Sequence, residues 1–339
     1  MLAIDLLTGS DGRVELLLGL VLLCALTAVL FPEHRKSPGT FPPALLAFLP
    51  VTALVFSLRQ YENLLTSWQI QIFLCGLFVA SSFVLLSGDH SPKRFAGAAI
   101  CGVAASFCIA SGLLVWPAGM LQLLLGPGRL GSRRRALAWA AIGALVICLY
   151  FFGYAKPGGH PSLLEMFRHP DVALEYLLAS IGNPLAIEPW AAVGIGALVL
   201  IIELAALLFA ARSSELPAWA AGLVIFSLGN SLLLTTGRVG FGLEQALSSR
   251  YATLSSMGIV GAYIIILRAR STSTFLSIHD GLLAGRALRD TRRDLARRLR
   301  TVESQPDEAL LQLFPSAPAL RDWSGTLREH HLSVYRSAP

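Results

Sequence analysis

W-A-A-V-G-I-G-A-L-V-L-I-I-E-L-A-A-L-L-F-A-A, residues Trp190–Ala211, is an almost unbroken apolar run rich in Leu and Ala. About 20 such residues cross the ~30 Å hydrocarbon core of a bilayer as a helix. A barrel strand would instead alternate polar and apolar positions over about ten residues, and no such alternation is present. Comparable runs occur at Val14–Phe31, Trp68–Leu86, Ala136–Tyr154, Ala218–Thr235 and Tyr251–Leu267, with a shorter one at Pro43–Phe56. The whole chain is 54% hydrophobic and only 14% charged, with a mean hydropathy of +0.63. That balance excludes an ordinary soluble globular protein and predicts an all-α polytopic transmembrane bundle.

The run Phe95–Leu125 is longer than one span needs. Ser111-Gly112 and Trp116-Pro117-Ala118-Gly119 predict a break near its middle, giving two helices or a re-entrant pair. With that break the chain has about eight to nine membrane segments. The basic residues support the division. Successive loops then alternate, placing Arg35, Lys36, Lys93, Arg94, Arg129, Arg133, Arg134, Arg135, Arg212, Arg268 and Arg270 on one side. The positive-inside rule makes that side the cytoplasm. Met1–Arg13 has neither a basic segment nor a small-residue cleavage site before the first run, so a signal peptide is not expected.

The segments of unusual polarity converge on the opposite, outer side. One is S-L-R-Q-Y-E-N-L-L-T-S-W-Q-I-Q at Ser57–Gln71, in which Arg59, Glu62, Asn63, Thr66 and Gln69 share one stripe if the segment is a continuous helix. Others are the Lys156–Pro161 loop and the glycine-rich Gly237–Tyr251 cluster. Inside the long interval Ala155–Glu188, Val172–Ile181 is expected as an amphipathic or partly buried helix ended by Gly182-Asn183-Pro184. Two domains follow: residues 1–270 as the transmembrane bundle, and residues 271–339 as a basic amphipathic tail with short helices. In the tail, Gly281–Arg300 carries seven arginines against Asp290 and Asp294, which fits a helix lying on anionic lipid.

The outer segments hold the candidate chemistry. Moving a group from a lipid phosphate requires cations for the phosphate oxygens and a carboxylate or imidazole for the acceptor's proton. Glu62 is the candidate base because it shares a helical face with Arg59. Arg59, Asn63, Arg238 and Arg250 are candidates for the phosphate, and Lys156 with His160 for the acceptor side. The plainer reading stays open for each: headgroup-level residues whose arginines snorkel. The spacing of His160 and His169 fits no zinc pattern, and no glycine cluster follows a strand as a dinucleotide fingerprint does, so no metal and no cofactor are expected. Cys24, Cys75, Cys101, Cys108 and Cys148 all lie in apolar runs and read as small core residues. The net charge of +6 comes largely from arginines flanking membrane segments, so nucleic acid is not an expected partner.

Q-Y-E-N-L-L-T-S-W-Q-I-Q (Gln60–Gln71), A-S-G-L-L-V-W-P (Ala110–Pro117), Y-A-K-P-G-G-H-P-S (Tyr154–Ser162), G-R-V-G-F-G-L-E-Q-A-L-S-S-R-Y (Gly237–Tyr251) and H-L-S-V-Y (His331–Tyr335) resemble a group of bacterial multi-span proteins similar to membrane glycosyltransferases of the GT-C superfamily. The resemblance runs in order from about Leu16. It implies a bundle in the bacterial inner membrane that takes sugars from polyprenyl-phosphate donors on the periplasmic or exterior face, in envelope polysaccharide or glycolipid assembly. It also implies an acidic base in the first outer loop. The loop after the first span here, Pro32–Thr40, is basic and falls inside. Either the chain is a shortened member in which Asp5 or Asp11 is a remnant, or Glu62 takes the role. Alternatives are a transporter or flippase of a lipid-linked or anionic solute, and an inactive paralogue.

Overall fold

The computed structural model describes residues 12–35, 41–88, 91–125, 129–154, 162, 164–212 and 217–269, together with Arg321. The chain divides into two units, Met1–Ser271 and Thr272–Pro339. The tail expected to lie on lipid falls, apart from Arg321, outside the described residues, as do Lys156 and His160.

Every described element of the first unit is helical. Five helices are long and apolar enough to cross a membrane: α1 (Gly12–Arg35), α7 (Arg129–Phe151), α10 (Pro189–Arg212), α11 (Ala218–Arg238) and α12 (Ser249–Ala269). Between α1 and α7 lie the shorter α2 (Phe41–Val55), α3 (Tyr61–Leu65), α4 (Ile70–Leu86), α5 (Pro92–Cys108) and α6 (Val115–Leu125). Before α10 come α8 (Glu165–Arg168) and α9 (Pro170–Gly182). The protein is thus a helical membrane protein, and five is the number of full-length spanning helices among the described residues.

Burial sorts these helices into a centre and a periphery. In α11 and α12, 67% of the spanning window is buried, against 28%, 22% and 28% in α1, α7 and α10. The peripheral helices leave Leu17, Leu137, Leu145, Leu198 and Ile201 exposed, which suits contact with lipid tails. Small residues allow the closest approaches, as membrane helices require when lipid is as apolar as leucine. Where α9 packs on α10, a Cβ at Gly196 would sit 1.8 Å from the Leu178 carbonyl, and one at Gly182 would sit 2.1 Å from the Ala192 carbonyl. Only glycine fits this crossing. The helix α9 is the one expected inside Ala155–Glu188, and it buries Ala173, Tyr176, Ala179 and Ser180.

The long run Phe95–Leu125 breaks as anticipated, but earlier than Pro117 suggests. α5 ends at Cys108, Ile109 is extended (φ −153°, ψ 160°), and a 3-10 turn over Ala110–Leu114 leads into α6. Pro117 lies in the first turn of α6, where its missing N–H would have had no helical partner in any case. A chain of polar contacts locks the break: Trp139 Nε1 donates to the Trp116 carbonyl (2.9 Å), and Trp116 Nε1 donates to Ser106 Oγ (2.9 Å).

Candidate functional site

The polar segment after α2 is not one continuous helix. It folds as a 3-10 turn (Leu58–Gln60), the single turn of α3, and a second 3-10 turn (Ser67–Gln69), with Thr66 extended between them. Ser57 starts the first turn by accepting the Arg59 backbone N–H. The expected stripe therefore ends at Asn63, and Thr66 and Gln69 leave it. β-branched Thr66 takes the extended conformation that suits it.

The residues that remain of the stripe reach across the fold. Arg59 donates through Nε to the Ala186 carbonyl (3.0 Å) and through Nη2 to the Leu247 carbonyl (2.7 Å). Asn63, buried, donates from Nδ2 to the Arg250 carbonyl (3.0 Å) and to Thr253 Oγ1 (2.8 Å). Thr253 donates to Gln60 Oε1 at 2.5 Å, and Gln60 Nε2 donates to the Val55 carbonyl at 2.6 Å. From a third segment, Asn183 Nδ2 donates to the carbonyls of Ala246 and Ser248, each at 3.0 Å. Residues 57–63, 183–186 and 246–253 are thus tied into one knot where α12 begins.

Glu62 belongs to this knot. Its Oε2 accepts from Ser248 Oγ (2.9 Å) and from the Arg250 backbone N–H (3.0 Å), while its own N–H donates to Ser249 Oγ (3.1 Å). A carboxylate on the Arg250 N–H, in the first turn of α12, acts as a cap supplied from another segment, and it complements the positive end of the helix dipole. Burial raises the Glu62 pKa, but the hydrogen bonds from Ser248 and Arg250 N–H, with Ser249 and the Arg250 charge adding, hold it below the usual carboxylate value.

Arg238 and Arg250 come together elsewhere, beside the knot. Their guanidinium carbons lie 5.9 and 5.4 Å from the centroid of the same ring, Tyr251. Both arginines line a cavity of about 360 Å³ formed where the break at Ile109, the start of α4, the end of α11 and the start of α12 meet. Its polar lining includes Trp68, Gln69, Gln71 and Ser111, its walls include Ile72, Leu233 and Leu254, and among the described residues no carboxylate lines it. Arg250 Nε is buried without a partner. Tyr176, fully buried with an unpartnered hydroxyl, lies close enough to interact electrostatically with Tyr251, Arg238 and Arg250. Burial and Tyr251 raise its pKa against the opposing pull of the two arginines. Cations at one end and aliphatic walls at the other match a ligand with an anionic head and an apolar body.

Arg238 and Arg250, nearly two hundred residues from Ser57–Gln71, therefore share one cavity with its last residues, Trp68 and Gln69. Arg59, Glu62 and Asn63 do not line that cavity and direct their hydrogen bonds into the knot, where Asn63 Oδ1 stays buried without a partner. Sequence reasoning passed over a further group. Glu203 on α10 is 1% exposed, and both of its carboxylate oxygens lack partners. Its signal was a lone acid inside the apolar run Trp190–Ala211. Among the described residues no cluster of three His, Cys, Asp or Glu side chains is placed to hold a metal ion.

No protein-family model matches the chain, and no curated protein or solved structure matches it either.

Proposed function

We propose that this membrane protein binds the phosphate of a lipid-linked substrate between Arg238 and Arg250 at the outer surface of a bacterial plasma membrane. The observation that carries the reading is the pair of guanidinium groups over Tyr251 at a cavity with apolar walls and, among the described residues, no acid in its lining. Two cations that sit by one ring and line one cavity both attract a phosphate placed in that cavity. Aliphatic walls beside the cations favour an amphiphile over a free sugar phosphate. With the resemblance to GT-C enzymes, the substrate is a polyprenyl-phosphate-linked sugar and the activity is sugar transfer in envelope polysaccharide or glycolipid assembly.

The residue roles follow from the contacts. Arg238 and Arg250 hold the phosphate. Arg59 and Asn63 shape the site by fixing the backbone around Arg250 and Leu247 and do not touch the ligand. Glu62 serves as a base only after giving up its bonds to Ser248 and the Arg250 N–H. Lys156 and His160 remain candidates for the acceptor side. A flippase or transporter is the second reading. It is favoured by the buried polar groups on α10, α11 and α12 at membrane depth, which a surface transferase does not need.

Titration of the full-length protein in nanodiscs with a polyprenyl phosphate, followed by Trp68 fluorescence, tests the binding reading. The expected result is saturable binding, weakened about tenfold or more by Arg238→Gln with Arg250→Gln, corresponding to at least about 1.4 kcal/mol. Equal binding by the double variant would refute it. Sugar release from the loaded donor, against movement of the intact lipid between leaflets, separates transferase from flippase.

A further inference from the structure

We infer that Glu203 is a proton-binding site inside the membrane domain, holding a neutral carboxyl that exchanges its proton with the cavity through the polar groups of α11 and α12. The inference rests on groups other than those that hold the anion, so it stands or falls separately from the binding reading.

Glu203 lies well inside α10. At about 1.5 Å per residue it is about 21 Å along the helix from Pro189 and about 14 Å from Arg212. Its side chain points inward to the two central helices. A Cβ added to Gly258 of α12 would sit 2.2 Å from Glu203 Oε1 and 2.7 Å from Ser227 Oγ of α11, so the carboxyl and the hydroxyl share the space over that glycine. Ser227 directs its own proton away, to the Ser255 carbonyl at 3.0 Å.

Among the described residues no cation bonds to Glu203 to balance its ionised form. The titratable side chains on the elements packed against α10 lie elsewhere. They are Asp171, Glu175 and Tyr176 on α9, Glu244 in the turn Leu243–Leu247, Arg238 near the end of α11, and Arg250, Tyr251, Tyr263 and Arg268 on α12. Tyr263 donates to the Ala47 carbonyl of α2. A carboxylate without a cation or a donor in a low-dielectric interior is far costlier than the neutral acid. The group therefore keeps its proton, and the form the fold accommodates is COOH.

Buried polar atoms connect this carboxyl to the cavity. One turn along α11 from Ser227 stand Asn230 and Ser231, and one turn along α12 from Gly258 stands Ser255. Asn230 Nδ2, Ser231 Oγ and Ser255 Oγ are all buried without partners, as are both Glu203 oxygens. Asn230 and Leu254 already line the cavity of Arg238 and Arg250. So many unsatisfied groups adjoining one another are unusual in a packed interior and mark a place where protons or water pass. In the exchange, Glu203 COOH gives its proton along these hydroxyl and amide groups to water in the cavity, leaving COO⁻, and the reverse transfer restores it.

Infrared spectroscopy of the full-length protein in lipid at neutral pH tests this. The wild type should show the C=O stretch of a protonated carboxyl that is lost in Glu203→Gln and shifts to lower frequency after transfer to D₂O. Absence of the band, its persistence in Glu203→Gln, or a band that does not shift in D₂O would overturn the inference. A measurement on the wild type alone covers misfolding of the variant. A hydrophobic carbodiimide, which reacts with protonated carboxyls, should modify Glu203 as read by mass spectrometry, and an unmodified Glu203 would count against the site.

Discussion

The knot at the start of α12 and the column of polar groups beneath the cavity are built from similar side chains and treat them in opposite ways. In the knot, Arg59, Gln60, Glu62, Asn63 and Asn183 reach across the fold to backbone or side-chain partners. In the column, Asn230, Ser231, Ser255 and Glu203 carry buried atoms with no partner; the amide oxygens of Asn63 and Asn183 in the knot are likewise unpartnered, but the Nδ2 of each makes two hydrogen bonds that hold it in place. A satisfied polar group inside a membrane protein holds structure together, and an unsatisfied one is available for a ligand or a proton. The difference separates the polar residues that build this protein from those that act for it.

Arg59→Ala should break the knot most severely. It strips two carbonyls of a charged donor, and at about 1.5 kcal/mol or more for each such bond the loss is about 3 kcal/mol of stability, measurable by thermal unfolding in detergent. An unchanged melting curve would show that Arg59 only snorkels. Asn63→Leu leaves the Arg250 carbonyl and Thr253 short of a donor and should cost about 2 kcal/mol in the same assay. By contrast, Arg238→Gln with Arg250→Gln should leave stability within about 0.5 kcal/mol of wild type while weakening anion binding about tenfold. If that pair unfolds the protein instead, the contrast between the two regions fails.

Glu62→Ala removes the cap on α12 and should cost about 1 kcal/mol. Its pH dependence is specific. Because the folded-state pKa of Glu62 lies below its ordinary value, its contribution is fully present above the unfolded carboxylate pKa of about 4.3 and is lost as pH falls through the folded value. Melting curves of wild type and Glu62→Ala should therefore converge in acid and differ by a constant amount near neutral pH. The smallest effect belongs to Glu203→Gln. Replacing a neutral acid by a neutral amide of the same shape should change stability by less than about 0.5 kcal/mol. A large loss would mean that the carboxylate is ionised and paired.

Much of the architecture was legible in the sequence, because long apolar runs report directly on a bilayer. Five of the expected spans, the break in Phe95–Leu125 and the helix before Asn183 follow from residue type and spacing, whereas the expected span Trp68–Leu86 is the 17-residue α4, shorter than the five spanning helices. Topology placed Ser57–Gln71 and Gly237–Tyr251 on one side, and the cavity of Arg238 and Arg250 includes Trp68 and Gln69 of the first segment but not Glu62, the carboxylate favoured from the sequence. What the sequence could not reveal was which polar groups were already spoken for. The acceptors of Arg59 and Asn63 are mostly main-chain carbonyls of residues 186, 247 and 250, and any residue type supplies a carbonyl. The stripe itself depended on a continuous helix that Thr66 interrupts. Glu203 stood in plain view in an apolar run, but its isolation became apparent only once Gly258 and Ser227 were placed against it.

The most direct test of the division between building and binding residues is the shift in melting temperature caused by a polyprenyl phosphate in three proteins: wild type, Arg59→Ala, and Arg238→Gln with Arg250→Gln. A ligand that binds only the folded state raises the melting temperature in proportion to the occupancy of its site. The account predicts that Arg59→Ala starts lower but still rises on adding the lipid, while the double variant starts near wild type and does not rise. A double variant that gains as much as wild type would contradict it.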